Sequence, residues 1–420
     1  MNFKSLGLSI DVQQALKAAG YQAPTAVQSK TIPAILKGRD VLVAAQTGTG
    51  KTAGFAVPML DILSKGSPPK PNQVKGLILS PTRELAIQLH QAVIDYGRYS
   101  GLRSTAVFGG VKINPQMMIL RKGVHLLIAT PGRLLDLKLQ NAIAFDQLEI
   151  LVLDEADKMM SLGFRAEINQ LLKILPRKRQ TLMFSATLSP EIKKLAETML
   201  HEPVEITVTP NEIAPSKVKQ WLVSVEKKRK TELLIELIKE EKRRRALVFV
   251  NTKKNADRLV KDLSASGIQA YAIHGDKSQA VRQRNLQAFK TKTINILVAT
   301  DLASRGLDIG KLPVVFNFDL PRIAEDYVHR IGRTGRAKDS GEAISMVSAD
   351  EFDNLRNIEQ LLREVIPREQ VDNFEPDHLL PESDGVPAPG REKRPKKPKK
   401  SKKTKSTLSR EGLEKKGKTQ

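Results

Sequence analysis

The chain has 420 residues, and 69 Lys and Arg residues against 46 Asp and Glu residues give it a formal net charge of +23. It contains no cysteine, which excludes disulfide bonds, thiolate metal sites and cysteine nucleophiles. Its six histidines form no metal-binding pattern, no apolar run approaches the roughly 18 residues of a membrane span, and the first residues lack the features of a secretory signal. We therefore expect a cytoplasmic protein of two or three domains, with a basic surface that binds polyanions and no membrane partner.

The first predicted helix covers residues 9–19, with Ser9 as its N-cap and Gly20 just past its end. Beyond it, short apolar runs alternate with segments of helical length. The runs that predict strands are 41–45, 76–80, 105–109, 125–130, 149–153, 180–184 and 205–208. This alternation predicts βαβ units, which form a parallel sheet with right-handed crossovers.

Residues 209–217 interrupt the alternation with two prolines and predict a linker. A second alternation follows, with strands predicted near 218–225, 246–251, 270–274, 294–300, 314–319 and 341–348. The segment 227–245 predicts one helix with basic ends, and a last helix is predicted over 350–363. The fold class that these patterns predict is α/β, with two parallel-sheet domains over residues 1–208 and 218–367.

Residues 368–420 are predicted to form a disordered basic tail. From residue 375 onward the chain is rich in Pro, Lys and Ser, and it has too few large apolar side chains to fold alone. Residues 391–420 hold 14 basic and 3 acidic residues. We interpret the tail as a flexible tether for a polyanion, with a purely solubilising tail as the alternative.

A glycine-rich segment follows the strand predicted at 41–45. Its eight positions are Ala45, Gln46, Thr47, Gly48, Thr49, Gly50, Lys51 and Thr52. Glycines let the backbone approach phosphate oxygens, and N–H groups at the start of the next helix then face the anion. We expect Lys51 to reach the β- and γ-phosphates of a nucleotide and the Thr52 hydroxyl to bind Mg²⁺. The generic pattern has glycine where this chain has Ala45, and a glycine turn that binds no phosphate is the alternative.

Three acids follow the strand predicted at 149–153, namely Asp154, Glu155 and Asp157. Carboxylates at the carboxyl end of a buried parallel strand lie where open α/β sheets bind ligands. Alone, the pattern fits a solvated acidic turn equally well, but together with a phosphate loop it predicts a Mg-nucleotide site. Asp154 would hold Mg²⁺, and Glu155 would orient or deprotonate the attacking water.

A basic segment lies far along the chain, beyond the predicted linker. Residues 329–336, HRIGRTGR, place four positively charged or chargeable side chains within eight positions. A solvated basic helix start would explain them, but arginines that stabilise transition-state charge on a γ-phosphate explain them as well. The second interpretation predicts an active site that is split across two domains and completed when they close.

These segments together resemble the DEAD-box RNA helicases, since residues 154–157 spell D-E-A-D. The resemblance covers about residues 3–366. The family motifs occur in the expected order, as Phe3 with GYQAPTAVQ at 20–28, AQTGTGKT at 45–52, PTRELA at 81–86, GG at 109–110, TPGR at 130–133, SAT at 185–187, VFVNT at 248–252, HGDKSQAVR at 274–282, ATDLASRGLDI at 299–309 and HRIGRTGR at 329–336. The resemblance implies two tandem RecA-like domains, and the carboxy-terminal segments look most like the bacterial RhlE-like branch.

The resemblance also implies a role for individual residues at the nucleotide. Tyr21 would stack on adenine and Gln28 would hydrogen-bond to its edge, which would make the enzyme prefer ATP. Asp308 would contact the ribose from the second domain. Arg333 and Arg336 would be the arginines that stabilise the transition state.

For RNA, the resemblance implies contacts on both domains. Asp157 would couple hydrolysis to strand separation through Ser185 and Thr187. The RNA-binding residues would be Thr82, Arg83, Gly110, Thr130, Arg133, Thr252, Gly275, Arg282 and Thr300. This small, polar set suits contacts to the phosphates and 2′-hydroxyls of duplex or structured RNA, so we expect binding that is independent of sequence and sensitive to salt.

The implied function is that of an ATP-dependent RNA helicase, in which RNA-stimulated ATP hydrolysis drives domain closure and local, non-processive unwinding or remodelling of RNA–protein complexes. One alternative is a DNA helicase or translocase of the same architecture, which Tyr21 and Gln28 disfavour. Another is an ATP-gated clamp or scaffold without turnover, which Lys51 and Glu155 disfavour. The RNA target, the pathway (ribosome assembly, RNA decay or cold adaptation) and any ribosomal or RNA-decay protein partner are left open by the sequence.

Overall fold

The computed structural model describes residues 2–45, 48–208, 218–240, 243–304, 309, 312–335, 341–376 and 380–381. Outside these ranges lie Gln46, Thr47, the predicted linker 209–217, Asp308, Arg336 and the chain from residue 382 onward. Among the residues that the structure describes, no helix combines the length and the apolar character that a membrane span requires.

The first domain is built on a seven-stranded sheet. Its strands are β1 Val41–Ala45, β2 Val74–Leu79, β3 Ser104–Val107, β4 Val124–Ala129, β5 Ile150–Leu153, β6 Gln180–Ser185 and β7 Val204–Val208. They lie in the order β3-β4-β2-β5-β6-β1-β7, and each pairing is parallel. All carboxyl ends therefore meet at one edge of the sheet, where only β6 separates the loop after β1 from the acids after β5.

Helices cover both faces of this sheet. They are α1 Ile10–Ala18, α2 Ala26–Leu36, α3 Lys51–Ser64, α4 Arg83–Tyr96, α5 Ile113–Leu120, α6 Pro131–Leu139, α7 Ala156–Ser161, α8 Arg165–Ile174 and α9 Pro190–Met199. Side chains of β6 alternate between two cores, since Leu182 and Phe184 pack in one and Met183 packs in the other. Burial on both faces explains why the strands appear in the sequence as continuous apolar runs rather than as alternating patterns.

The second domain repeats this architecture with a six-stranded parallel sheet. Its strands are β8 Val218–Ser224, β9 Ala246–Phe249, β10 Ala270–Ile273, β11 Ile296–Ala299, β12 Val314–Asn317 and β13 Gly341–Val347, in the order β10-β11-β9-β12-β13-β8. Its helices are α10 Lys230–Lys239, α11 Lys253–Ala265, α12 Gln279–Lys290, α13 Asp301–Ser304, α14 Ala324–Ile331 and α15 Phe352–Leu362. The predicted α/β fold class with two parallel-sheet domains is confirmed, and all thirteen predicted strands are present within two residues of their predicted bounds.

The helix predicted over 227–245 is shorter than expected. Residues 227–229 form a 3₁₀ turn, α10 ends at Lys239, and the next residue is extended. Arg243 then donates from Nε to Glu342 over 2.9 Å, and its guanidinium lies 5.1 Å from the ring centre of Trp221. These buried tertiary contacts outweigh the helix propensity of the lysine- and arginine-rich end.

Part of the predicted tail is packed on the second domain. Arg368 forms a parallel bridge with Leu222, and its guanidinium donates to the carbonyl of Leu380 over 3.1 Å. The Leu380 side chain is buried in the core beside α14 and α15, and Phe374 lies under the guanidinium of Arg229. The ordered chain therefore extends beyond the predicted boundary at residue 367, because a few apolar side chains in this segment find partners on the domain surface.

One buried arginine joins the strand ends of the second domain. Arg330 on α14 donates to both carboxylate oxygens of Asp301 over 2.6 Å, and to the carbonyl of Asp319 over 2.6 Å. It also reaches the side-chain oxygens of Asn317 and Asn251 over 3.2 and 3.3 Å. Since these partners follow or end β9, β11 and β12, Arg330 holds the carboxyl edge of this sheet in place.

We predict that Arg330→Ala destabilises the second domain by about 3–5 kcal/mol, because it leaves the partly buried Asp301 without its cationic partner. Urea unfolding of the full chain, followed by the fluorescence of Trp221 in the same domain, measures this change. Arg322→Ala removes an exposed arginine a few residues away and is expected to shift stability by less than about 0.5 kcal/mol. Equal midpoints for the two variants would contradict the structural role of Arg330.

Candidate active site

The loop after β1 is shaped for an anion. Gly48 and Gly50 have positive φ angles of 84° and 88°, a left-handed conformation that glycine adopts without steric cost. Lys51 then begins α3, a helix of 14 residues, so the unsatisfied N–H groups of its first turn lie at the carboxyl end of β1. Such a helix start binds phosphate groups readily.

The segment before α2 supports this loop from one side. Thr25 and Gln28 form a capping box at the start of α2. The Gln28 carboxamide also donates to the carbonyl of Gly50 over 3.1 Å, and the Thr25 hydroxyl donates to the carbonyl of Thr49 over 2.8 Å. The phosphate loop is therefore held by the segment that is predicted to recognise adenine, and Gln28 itself is fully buried.

Tyr21 lies in a small aromatic cluster beside the same helix. Its ring packs edge-on against Phe3 and Tyr96, with ring centres 6.0 and 5.8 Å away. The two tyrosine hydroxyls are 2.8 Å apart and hydrogen-bonded. The Tyr21 ring is thus fixed in orientation at the edge of the first domain.

The acids after β5 face the phosphate loop. The buried atoms without a hydrogen-bond partner among the described residues include four at this edge: Nζ of Lys51, Oδ1 of Asp154, Oε2 of Glu155 and Oδ1 of Asp157. Buried polar atoms without partners are rare in folded proteins and indicate a missing ligand or water. A lysine ammonium and carboxylates that lie close together without hydrogen-bond partners are suited to a ligand that contains both an anion and a cation.

Burial dominates the electrostatics of the two acids. It raises the pKa of Asp154 to about 7, with the Lys51 ammonium opposing the shift and the Glu155 carboxylate adding to it. Burial also acts to raise the pKa of Glu155, but the positive charges of Lys158, Lys51 and Arg333, together with the hydrogen bond from Lys158, outweigh this effect and the net shift is downward. The two carboxylates are therefore unequal, and a cation placed beside Asp154 would favour its charged form.

The donor set at this edge fits Mg²⁺. The Asp154 carboxylate and the Thr52 hydroxyl offer the hard oxygen ligands that this ion prefers. Within the described ranges no group of three or more His, Cys, Asp or Glu side chains could hold a metal alone. Mg²⁺ usually binds through one or two protein oxygens together with substrate phosphates, and the phosphate loop supplies the place for these.

Asp157 connects the acids to the loop after β6. Its Oδ2 accepts from the Ala186 N–H over 3.3 Å and from the Thr187 hydroxyl over 3.5 Å. The Ser185 hydroxyl donates to the carbonyl of Thr187 over 2.7 Å. Asp157 therefore contacts the loop at Ala186 and Thr187, while Ser185 contributes through the backbone of Thr187.

The second domain brings Arg333 to this edge. Arg333 follows the end of α14. Burial acts to raise the pKa of Glu155, whereas the charges of Lys158, Lys51 and, to a smaller extent, Arg333 lower it. Arg333 and Lys158 line one small cavity between the domains, together with Asp301 and Asp326 of the second domain. Residues of both domains therefore line this cavity, while Arg336 and Asp308 lie outside the described residues.

The predicted RNA-binding residues lie at the remaining strand ends of the same edges. Thr82, Gly110 and Thr130 follow β2, β3 and β4, and Thr252, Gly275 and Thr300 follow β9, β10 and β11. In each sheet these three strands are neighbours. The residues predicted for RNA and for nucleotide in the first domain therefore occupy separate halves of one sheet edge.

Three arginines are crowded together near these strand ends. The Arg83 guanidinium occupies the space that a side chain at Gly110 would need, and Arg133 donates to the carbonyl of Val111 over 2.9 Å. Burial lowers the pKa of Arg133 and of Arg282, and the nearby charge of Arg83 lowers both further. Repulsion among these cations makes the place favourable for a polyanion.

A buried polar cluster joins the two domains beside these arginines. Glu84, in the first turn of α4, accepts from Arg282 over 2.9 Å and from the Gln279 carboxamide over 3.0 Å. All three side chains are buried. Gln279 and Arg282 are three positions apart on α12, so they lie on one face of that helix and meet Glu84 together.

Comparison with known proteins agrees with this geometry. The family model described as "DEAD/DEAH box helicase" matches residues 25–195, and the model described as "Helicase conserved C-terminal domain" matches residues 229–338. The chain is 40% identical over 366 residues to the DEAD-box ATP-dependent RNA helicase CshA of Bacillus cereus, covering 87% of this chain and 69% of that protein.

The chain belongs to the DEAD-box family of ATP-dependent RNA helicases.

Solved structures of Saccharomyces cerevisiae Dbp5 resemble this one to different degrees. Dbp5 bound to RNA and ADP BeF3 is 28% identical, covers 89% of this chain and 96% of its own, and has a TM-score of 0.77. A point variant of Dbp5 bound to Nup159, a Gle1 variant, IP6 and ADP is 27% identical over 88% of this chain and 96% of its own, with a TM-score of 0.60. The two RecA-like domains of this DEAD-box helicase therefore match the yeast protein in fold, and the match depends on which complex is compared.

Three residues of the helicase site were not identified from the sequence. Glu84 and Gln279 complete the cluster at the domain interface, and Lys158 contacts Glu155. The Q-x-x-R spacing of Gln279 and Arg282 is a usable signal, because it puts both side chains on one helical face. For Lys158 no signal was available, since a lysine three residues after an acid is typical of a solvated helix surface.

We predict that Gly50→Ala weakens ATP binding to this helicase by about tenfold or more, since a left-handed alanine costs roughly 1–2 kcal/mol and its Cβ would collide with the Gln28 carboxamide. Titration with a fluorescent ATP analogue measures the Kd. Gly38→Ala is the matched control, because Gly38 also has a positive φ of 72° but has open space around it, at the amino end of β1. Similar Kd values for both variants would show that the contact with Gln28 is unimportant for the nucleotide.

Proposed function

We propose that the chain couples ATP hydrolysis to closure of its two domains on RNA, with local, non-processive unwinding of short duplexes or remodelling of RNA–protein complexes. One observation carries this proposal. The unpartnered Lys51, Asp154 and Glu155 atoms of the first domain face an edge to which the second domain contributes Arg333. Hydrolysis at such a site depends on both domains being in place.

Each residue of the nucleotide site has a proposed task. Lys51 binds the β- and γ-phosphates, while Thr52 and Asp154 hold Mg²⁺, which neutralises phosphate charge when bound. Glu155 orients the attacking water through its unpartnered Oε2. Arg333, together with Arg336, stabilises charge on the γ-phosphate in the transition state.

The base and ribose of ATP are assigned to three further residues. We propose that Tyr21 stacks on adenine, that Gln28 recognises its edge and that Asp308 contacts the ribose. The support for Gln28 is its contact with Gly50. A carboxamide that hydrogen-bonds to both the base and the phosphate loop would make the conformation of the loop depend on which base is bound. Asp157 then couples ATP hydrolysis to the loop after β6 through its hydrogen bond with Thr187.

RNA is proposed to lie across the two groups of strand ends. The arginines Arg83, Arg133 and Arg282 would neutralise phosphates, and the loops beginning at Thr82, Thr130, Thr252 and Thr300 would follow the backbone. Contacts of this kind do not read base edges, so binding is independent of sequence and weakens with salt. The same contact set suits structured or duplex RNA.

The arrangement of the domains supports closure. The Glu84–Arg282 ion pair and the Gln279 hydrogen bond join the two domains directly. At nearly the same identity and coverage, the TM-score is higher against Dbp5 with RNA and ADP BeF3 than against Dbp5 with Nup159, Gle1, IP6 and ADP. We infer that the difference lies in how the domains are placed, and that this structure represents the closed state.

Finer assignments remain predictions. Membership of the RhlE-like branch rests on the carboxy-terminal segments, and a cytoplasmic location rests on composition. We propose no particular ribosomal or RNA-decay partner, because no described surface identifies one.

We predict that Glu155→Gln lowers RNA-stimulated ATP turnover by about 10²-fold or more, the usual range for a residue that activates water. The variant keeps the shape of the side chain, so ATP should still tighten its binding to RNA. Phosphate release measures turnover, and fluorescence anisotropy of a labelled RNA with and without ATP measures affinity. Glu197→Gln, an exposed position on α9, serves as the control with unchanged turnover.

Two outcomes would contradict the proposed function. Turnover of Glu155→Gln at the wild-type rate would remove Glu155 from the chemistry. Loss of turnover without any ATP-dependent gain in RNA affinity would mean that nucleotide binding does not drive closure on RNA.

A second prediction concerns the basic tail, for which we propose a role as an RNA tether. Truncation after Pro381 removes residues 382–420, which hold 14 basic and 5 acidic residues, but keeps the packed Leu380. Turnover at saturating RNA should stay nearly unchanged, while the RNA concentration for half-maximal stimulation should rise, most clearly at low salt. ATPase assays on both proteins at two salt concentrations measure this. Equal half-saturation at both salts would leave the tail without a role in RNA binding.

A further inference from the structure

Lys158 is a buried lysine in direct contact with the proposed catalytic carboxylate. Its side chain is only 6% exposed, and its Nζ donates to Oε1 of Glu155 over 2.7 Å, while the Glu155 side chain is 8% exposed. Lysine is almost never buried to this degree without a specific partner. The ion pair is therefore part of the site and not a solvated helical pair.

The two oxygens of the Glu155 carboxylate have different surroundings. Lys158 binds Oε1, whereas Oε2 is buried and has no partner among the described residues. A carboxylate with one oxygen held by a fixed donor cannot rotate freely about its last bond. The Lys158 contact thus determines where the second oxygen points.

The local backbone geometry also holds Lys158 close to Glu155. Glu155 has a left-handed conformation with φ 55° and ψ 50°, and it is the N-cap of α7. A non-glycine residue in this region persists only where the surrounding structure holds it. Since Lys158 lies in the first turn of α7, the helix carries the ammonium back over the residue that precedes it.

Lys158 also lies close to residues of the second domain. It lines the small cavity between the domains together with Arg333, Asp301 and Asp326. The lysine therefore lies between the carboxylate that it binds and charged side chains of the second domain, which include Arg330 as well as Arg333, Asp301 and Asp326. Its environment is complete only when the two domains are together.

We propose that Lys158 is a positioning residue for ATP hydrolysis, which holds Oε1 of Glu155 so that Oε2 faces the attacking water in the closed state. This inference rests on the proposed function of Glu155. Lys158 acts through Glu155 and does not itself touch the reacting atoms. Removing it should slow turnover while leaving the binding of ATP largely intact.

The test compares steady-state turnover of Lys158→Met, Lys158→Arg and wild type at saturating RNA. Methionine keeps the apolar stem and removes the charge, so we expect kcat to fall by about tenfold or more, as for a modest misplacement of a catalytic group, with a KM for ATP within about threefold of wild type. Lys158→Arg should recover most of kcat, because a guanidinium can also donate to Oε1. Lys173→Met, at an exposed position of α8, controls for loss of a positive charge and should match wild type.

A double variant separates positioning from a structural role. In the Glu155→Gln background, Lys158→Met should lower kcat little further, since the group that it positions has already lost its function. Thermal melting should show Lys158→Met folded, and ATP should still raise its affinity for labelled RNA. A purely structural lysine would instead lower kcat by the same factor in both backgrounds.

The outcomes also separate this inference from the proposed function. Wild-type turnover in Glu155→Gln would overturn the role of Glu155 and the inference together. An inactive Glu155→Gln combined with wild-type kcat in Lys158→Met would overturn the inference alone. A loss of kcat in Lys158→Met that arginine does not restore, or a change confined to KM, would equally contradict positioning.

Discussion

Parallel pairing of the strands is the constraint on which both sites depend. Because each strand of a parallel sheet runs in the same direction, every carboxyl end emerges at one edge. The phosphate loop, the DEAD acids, the loop at Ser185 and the three predicted RNA loops of the first domain all begin at that edge. The second sheet presents its own carboxyl edge in the same way, and Arg330 forms hydrogen bonds at three of its strand ends. The proposed active site takes its residues from both of these edges.

Much of the fold could be predicted from the sequence, because the physical signals were local. Strands buried on both faces appear as apolar runs, and thirteen such runs became thirteen strands. The phosphate loop and the acids were recognisable because their chemistry requires particular residue types next to a strand end. Glu155 and Gly50 illustrate this well, since each lies within a few residues of the strand or helix that positions it.

What the sequence did not reveal depends on contacts between distant residues. Glu84 forms an ion pair with Arg282 across the domain interface, and no local sequence pattern predicts that this carboxylate pairs with an arginine of the other domain. Arg243 ends a helix early because Trp221 and Glu342 offer it better partners than another helical turn. Leu380 is buried in the core of the second domain, although composition alone assigns it to a disordered tail. In each case a tertiary contact outweighs a local preference.

The hydrogen bond between the Asp154 N–H and the carbonyl of Leu79, 3.0 Å long, has a thermodynamic consequence. It joins the acid end of β5 to the end of β2, the strand that leads to Thr82 and Arg83. The strand that ends at the proposed metal ligand and the strand that leads to the proposed RNA loop are thus neighbours, roughly 4.8 Å apart. A shift of β5 on nucleotide binding would therefore change the position of β2, which leads to the proposed RNA loop. Because linkage between two binding equilibria is reciprocal, RNA must raise the affinity for nucleotide by the same factor by which nucleotide raises the affinity for RNA.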